Sequence, residues 1–259
     1  MNVVDLNSDL GEDWGKWRVS RDAEVMSCVT SANVACGFHA GDPSTIRRTV
    51  RLARSAGVAI GAHPGWPDLL GFGRRNMEVD PEEARDYVVY QVGALKAFVE
   101  AEGGRLTHVK PHGALYNQAA KDKRLAQAIA QAVKEVDPCL ILVALPGSEL
   151  YKAGREAGLL TAGEVFADRA YNPDGTLVPR TRPNAMIKDV RVAIQQVLHM
   201  VEHSSVVAVD GTEVPIAADT ICIHGDQPDA VAFAKEIRAA LENKGIRVAP
   251  MSEWLKGRG

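Results

Sequence analysis

The stretch HVKPHGALYN, residues 108–117, follows a short apolar run and gathers two histidines and a lysine around one proline. Side chains alternate along a strand, so His108 and Lys110 share a face, and His112 joins them if the chain stays extended past Pro111. Val109 falls on the opposite face. A strand that is apolar outward and polar at its inner exit suits a parallel sheet covered by helices, where ligands bind at the C-terminal strand ends. The alternative is a strand end that merely happens to be polar. The rest of the chain decides between them.

Working outward, short apolar runs alternate with amphipathic stretches. Strands are expected at 3–8, 31–36, 58–62, 106–110, 140–145, 160–167 and 219–224, with a last short one at 246–249. Helices are expected near 20–29, from Asp42-Pro43 to Gly57, from Asp80 to Gly103, and at 125–136, 149–157, 187–203 and 229–243. Asp42 before Pro43 reads as N-cap and first helical residue. Asp80 and Glu83 in DPEEA read as a capping box. The Asp-Gly pair in VVAVDGTEVPIA, residues 206–217, reads as a small hairpin. A polar, Pro-rich loop, DRAYNPDGTLVPRTRPNAM, spans 168–186. The α/β alternation predicts one domain over 1–259, and seven or eight units favour a (β/α) barrel over an open doubly wound sheet. No GxGxxG follows the first strand, as a dinucleotide-binding open sheet would require.

The strand exits carry the chemistry. The first supplies Asn7, Asp9 and Glu12. The second gives Asn33 and His39, and the third His63, then Asp68, Arg74 and Arg75. The fourth gives Lys110 and His112, the sixth Glu164, Asp168 and Arg169, and the seventh His224 and Asp226. The fifth offers little beyond Ser148. Inward-facing Ala59 and Gly61 leave room beneath His63 for a ligand. One Asp or His at a strand end is commonly a cap or a satisfied core residue. Polar exits on six strands at once point to a pocket. Lys110 in a barrel mouth must be paired or discharged. It reads either as a buried ion pair with Asp9 or Asp168, or as an electrophile, base or phosphate clamp. The arginines add capacity for carboxylate or phosphate, or form salt bridges within their loops. His199 and His203 lie on a helix and read as surface residues. Histidine and aspartate suit zinc or manganese, yet there is no HExxH. The i, i+4 spacing of His108 and His112 means little on a strand interrupted by Pro111.

Composition narrows the partners. The formal charge of −3, with 46% hydrophobic and 24% charged residues, describes an ordinary globular chain with no electrostatic call for nucleic acid or anionic membrane. No apolar run has the length of a membrane span. The acidic N-terminus, MNVVDLNSDLGEDW, lacks the basic region of a signal peptide. The four cysteines, Cys28, Cys36, Cys139 and Cys222, form no CxxC pair and read as buried free thiols of a cytoplasmic protein. Neither a GxxxxGK[ST] phosphate loop nor a GxSxG elbow is present.

Six segments, LNSDLGE, NVACGFHAGDP, IGAHPGWPDLLGFGRR, HVKPHGALYN, EVFADRAY and ICIHGD, resemble in order the signature segments of the LamB/YcsF family. That family is described as one of the subunits of bacterial ATP-dependent 5-oxoprolinase. The resemblance runs from Asp5 to Asp226. It implies a seven-stranded (β/α) barrel of the glycoside hydrolase/deacetylase type. It also implies cleavage of 5-oxo-L-proline (pyroglutamate) to L-glutamate coupled to ATP hydrolysis, with two other subunits that handle most of the ATP chemistry. A phosphorylated lactam would be the electrophile. Lys110 with Arg169 or Arg74 would face its anions. Asp9, or His63 with Asp168, would act as base. Asn7, Glu12, Asn33, His39, His112 and His224 would bind or orient. By looser analogy with metal-dependent deacetylases, Asp9, His63 and His112 could hold a divalent metal. Two rival readings stay open: a stand-alone metal-dependent amidase or deacetylase acting on sugar derivatives, and a non-catalytic ligand-binding subunit.

Overall fold

The structure, a computed structural model, describes residues 3–19, 21–223 and 230–258. The strands are β1 (Val3–Leu10), β2 (Ser31–Ala35), β3 (Ala59–His63), β4 (Leu106–Val109), β5 (Ile141–Ala144), β6 (Thr161–Phe166), β7 (Ser205–Val207), β8 (Glu213–Pro215), β9 (Thr220–Cys222) and β10 (Arg247–Val248). Strands β1 to β6 pair in sequence order, all parallel. β9 then joins β6 to β1, which closes a seven-stranded barrel. The open-sheet alternative is thereby excluded. β7 and β8 form the expected antiparallel hairpin outside the barrel.

Helices α1 (Asp22–Met26), α2 (Pro43–Ser55), α3 (Pro81–Ala101), α4 (Gly113–Ala119), α5 (Lys123–Val136), α6 (Glu149–Glu156), α7 (Val190–His203), α8 (Ala230–Asn243) and α9 (Met251–Trp254) accompany the strands. No described helix is long and apolar enough to cross a membrane. Sequence determines where they start. The Asp42 carboxylate accepts from the Ser44 and Thr45 amides ahead of α2, with Pro43 in the first turn. Asp80 caps α3 through the Glu82 amide, but the expected box differs, because the Glu83 carboxylate takes the Tyr87 hydroxyl instead. α4, directly after Pro111-His112, escapes the periodicity argument because seven residues give too little pattern.

The apolar core lies between barrel and helices. Leu6, Val109, Leu142, Val165 and Ile221 pack outward into a shell with Val50, Val92, Leu95 and Ile129, all essentially without solvent contact. At the lower end Ile141, Val143 and Ala162 pack with Met251 and Leu255, so the C-terminal segment plugs the barrel.

Beside that apolar filling a polar ladder climbs the inner faces of β1, β2 and β9. At its foot Asp5 accepts from Thr30 Oγ1 (2.7 Å), Ser31 Oγ (2.6 Å) and Thr220. Burial, only partly offset by these bonds, raises the Asp5 carboxyl to about 6. Thr220 links upward to Asn7, whose Oδ1 accepts from Asn33 Nδ2 (2.8 Å). Asn33 Nδ2 also donates to Asp9 Oδ1 (2.9 Å), at the mouth. Asp5, Asn7 and Asp9 share the inward face of β1, and Ser31 and Asn33 that of β2, as their alternation requires.

Candidate active site

The ladder ends on a buried ion cluster. Lys110 Nζ lies 2.8 Å from Asp9 Oδ1 and 2.9 Å from Glu164 Oε1, with Cys222 Sγ at 3.2 Å. Of the two partners that the sequence suggests for Lys110, Asp9 is one; the second carboxylate is Glu164 and not Asp168. Burial opposes the ammonium charge. The Asp9 carboxylate above all, with Glu164 beside it, more than offsets it and holds Lys110 well above the usual lysine range. A lysine kept protonated acts as a fixed cation, which removes the option of a lysine base.

His108 does not reach the cavity. Its ring fills the space beside Gly61, where a Cβ would overlap the imidazole. The room expected there for a ligand is therefore occupied by the protein itself. His108 Nε2 is 2.9 Å from Asn33 Oδ1, and Nδ1 is 2.8 Å from Thr107 Oγ1. The Asn33 amide nitrogen is committed to two acceptors, so its oxygen accepts and His108 Nε2 carries the proton. Burial holds His108 neutral, down at about 3. His108 thus fixes the Asn33 amide, and Asn33 fixes Asp9.

Above Asp9 stand three imidazoles. His63 Nδ1 is 2.7 Å from the Lys110 carbonyl, and His112 Nε2 is 2.8 Å from the Phe72 carbonyl. A carbonyl only accepts, so both nitrogens carry hydrogen. Their other nitrogens, His63 Nε2 and His112 Nδ1, face each other across 3.0 Å, a gap with room for one hydrogen and not two. Asp9 Oδ2 lies 3.2 Å from His63 Nε2, and Glu12 Oε1 lies 3.7 Å from His112 Nδ1. Phe72 supplies its carbonyl from a left-handed backbone, φ +55°, which a non-glycine residue adopts only at a cost.

Donor atoms of Glu12, His39, His63 and His112 lie within 4.8 Å of one another, a set that could hold a metal ion. Outer hydrogen bonds to carbonyls, as on His63 and His112, are typical of metal-binding imidazoles. His39 behaves differently. It stacks on His112 with ring centres 3.7 Å apart and planes 2° apart, so no one ion can lie in both ring planes. In this pose His39 is a packing partner. Glu12 and Asp9 flank the His63–His112 pair as its nearest carboxylates. Burial, then the neighbouring His39 and His63, push the His112 imidazole well below its usual range, which disfavours a second proton on His112.

The cavity over this floor has a volume of about 860 Å³. Asp9, Glu12, His63, Arg74, Lys110, His112 and Arg169 line it, as does Tyr116 of α4. Asn7, Asn33 and His39 are fully buried behind that wall, and Asp168 nearly so; Asp168 offers its backbone carbonyl to the Ile187 amide. His224 and Asp226 lie outside the described residues. Arg75 is held by Asp68 within its own loop, so of the two adjacent arginines Arg74 faces the cavity. His199 hydrogen-bonds Glu213 and Ser205 away from the site. Cys139 is exposed at a turn, unlike the other three thiols. Glu164 and Tyr116 are the residues to which sequence reasoning assigns no role. The inward parity of Glu164 with Phe166 is the available signal for the first.

A sequence model of the LamB/YcsF family matches residues 4–256. A protein of Geobacillus kaustophilus, named as a 5-oxoprolinase subunit, is 60% identical over 254 residues, covering 98% of this chain and 99% of the relative. One of the same name from Bacillus subtilis is 57% identical over 253 residues, covering 98% of each. The crystal structure of the lactam utilization protein from Thermus thermophilus superposes with a TM-score of 0.91 at 51% identity, covering 95% of this chain and 99% of that one. This chain belongs to the LamB/YcsF family.

Proposed function

We propose that this chain is the lactam-opening subunit of an ATP-dependent 5-oxoprolinase, a cytoplasmic enzyme that hydrolyses 5-oxo-L-proline to L-glutamate. The relatives' names support the reaction. The observation that carries the chemistry is Lys110 Nζ, 2.8 Å from Asp9 Oδ1 at the floor of the cavity. In this reading two partner subunits use ATP to phosphorylate the lactam oxygen, which turns an inert amide into an electrophile.

Lys110 then supplies a fixed positive charge beside the charge that develops at the ring carbonyl. Asp9 Oδ1 is held by Lys110 and Asn33, and Oδ2, beside His63, takes a proton from the attacking water. The water oxygen bonds the carbonyl carbon, the C–N bond breaks as the nitrogen takes up the proton that Asp9 removed from the water, and a second water hydrolyses the acyl phosphate left on that carbon to the glutamate carboxylate and inorganic phosphate. Arg74 faces the substrate carboxylate. The variant Asp9→Asn, assayed for glutamate release with both partners present, should lose activity while still assembling; full activity would remove Asp9 from the mechanism.

A second reading adds a divalent cation to the same floor, favoured by the facing ring nitrogens of His63 and His112 with Glu12 beside them. His63 and His112, with Asp9 or Glu12, would hold it. Such an ion would polarise a carbonyl and acidify a bound water. In either reading the chain's own work is the same: Lys110 holds charge, Asn33 orients Asp9, and the Lys110 and Phe72 carbonyls fix the two imidazoles.

A further inference from the structure

The cavity is larger and more positive than a lactam needs. In a chain of formal charge −3, its wall carries Arg74, Lys121, Arg169 and Arg180 against the carboxylates of Glu12 and Asp122, apart from Lys110, whose charge Asp9 and Glu164 already meet. A volume of about 860 Å³ suits a ligand well beyond a five-membered ring. Surplus cations in a walled cleft focus the field on an anion.

Two of these cations come from the loop after β6. Arg169 is only 7% exposed, and one guanidinium nitrogen donates to the Val178 carbonyl at 2.6 Å. That bond fixes the group. Its Nε, also buried, has no hydrogen-bond partner among the described residues. Arg180 lies on the same wall, two residues past the carbonyl that anchors Arg169. Burial, then the charge of Arg180, lower the Arg169 guanidinium to about 10 against the opposing pull of Asp168. Like charges turned into one cleft are stabilised by an anion shared between them, and guanidinium pairs favour the multiple oxygens of phosphate.

We propose that Arg169 and Arg180 form a phosphoryl subsite on one wall of the cavity. Its ligand class is a phosphorylated small carboxylic acid derivative. The subsite rests on the reading of this chain as a lactam-opening subunit, and it divides the labour between the arginines. Arg74, on the loop that carries Phe72, takes the substrate carboxylate; Arg169 and Arg180 take the phosphoryl group. The chain would thus receive its lactam already activated and reject the free lactam as a weak binder. No bond is made or broken at the subsite.

The test is calorimetric titration of the full chain, without partners, with inorganic phosphate and separately with 5-oxoproline. Phosphate should bind, and Arg169→Gln and Arg180→Gln should each weaken it at least tenfold, while Arg74→Gln should not. Arg180 is exposed, so Arg180→Gln keeps the test decisive if Arg169→Gln fails to fold. Phosphate that does not bind, or that binds equally to Arg180→Gln, would overturn the subsite. So would loss of phosphate binding in Arg74→Gln alone. Any of these failures would leave the lactam-opening role standing, because that role is read from glutamate release and not from phosphate binding.

Discussion

Lys110 Nζ sits 2.8 Å from Asp9 Oδ1, across the barrel from the strand that carries it. Glu164 meets the same nitrogen from a third strand. The contact joins β1, β4 and β6 at the level where the barrel opens. It therefore serves both the fold and the chemistry, and the two roles can be separated.

Lys110→Ala leaves Asp9 and Glu164 facing each other without a cation. Breaking a buried pair in this way costs about 3–5 kcal/mol. Adding Glu164→Gln should recover part of that stability and none of the glutamate release. Urea denaturation of the single and double variants, set beside their activities, checks both halves.

Gly61→Ala tests the close approach of β3 to His108. A Cβ there would overlap the imidazole, with no flexible group to yield. The variant should lose several kcal/mol of stability, on the order expected for overpacking and a displaced buried polar ring. Thermal denaturation measures it; a melting point equal to that of the parent would mean that His108 packs elsewhere.

Two buried groups act oppositely on acid stability. Asp5 is raised from 3.8 to about 6, so between those values the folded chain binds more protons than the unfolded one and its stability falls as pH rises. His108 is lowered from 6.5 to about 3, so over that span the unfolded chain binds more protons and stability rises with pH. Their slopes cancel in part between about pH 4 and 6. Asp5→Asn removes the falling term, on the order of 3 kcal/mol. Its stability should therefore climb more steeply with pH over that range than the parent's does, as measured by denaturant midpoints.

If the His63–His112 pair holds a cation, protein purified without chelator should carry a divalent metal near one per chain. His63→Ala and His112→Ala should lose it, and His39→Ala should keep it, because His39 stacks on His112 instead of sharing an ion with it. Elemental analysis of the three variants decides this without any activity assay.

The barrel is legible in the sequence because period-two alternation and N-cap chemistry are local. Asp42-Pro43 announces α2, and the parity of His108, Lys110 and His112 survives past Pro111. What spacing does not supply is distance across the barrel. Gly61 reads as open space in the sequence, yet His108 from the neighbouring strand fills it. Glu164 reads as one more polar exit, and only closure of the barrel sets it against Lys110. The split between Arg74, on the cavity wall, and Arg75, bound to Asp68, likewise depends on a loop whose shape no local pattern encodes.

The most direct test of the central claim is reconstitution. Glutamate release from 5-oxoproline and ATP is measured with the two partner subunits, with and without this chain. The partners alone should release essentially no glutamate, and adding the chain should restore the reaction, whereas the Asp9→Asn variant should not. Partners that give the full rate alone would contradict the account.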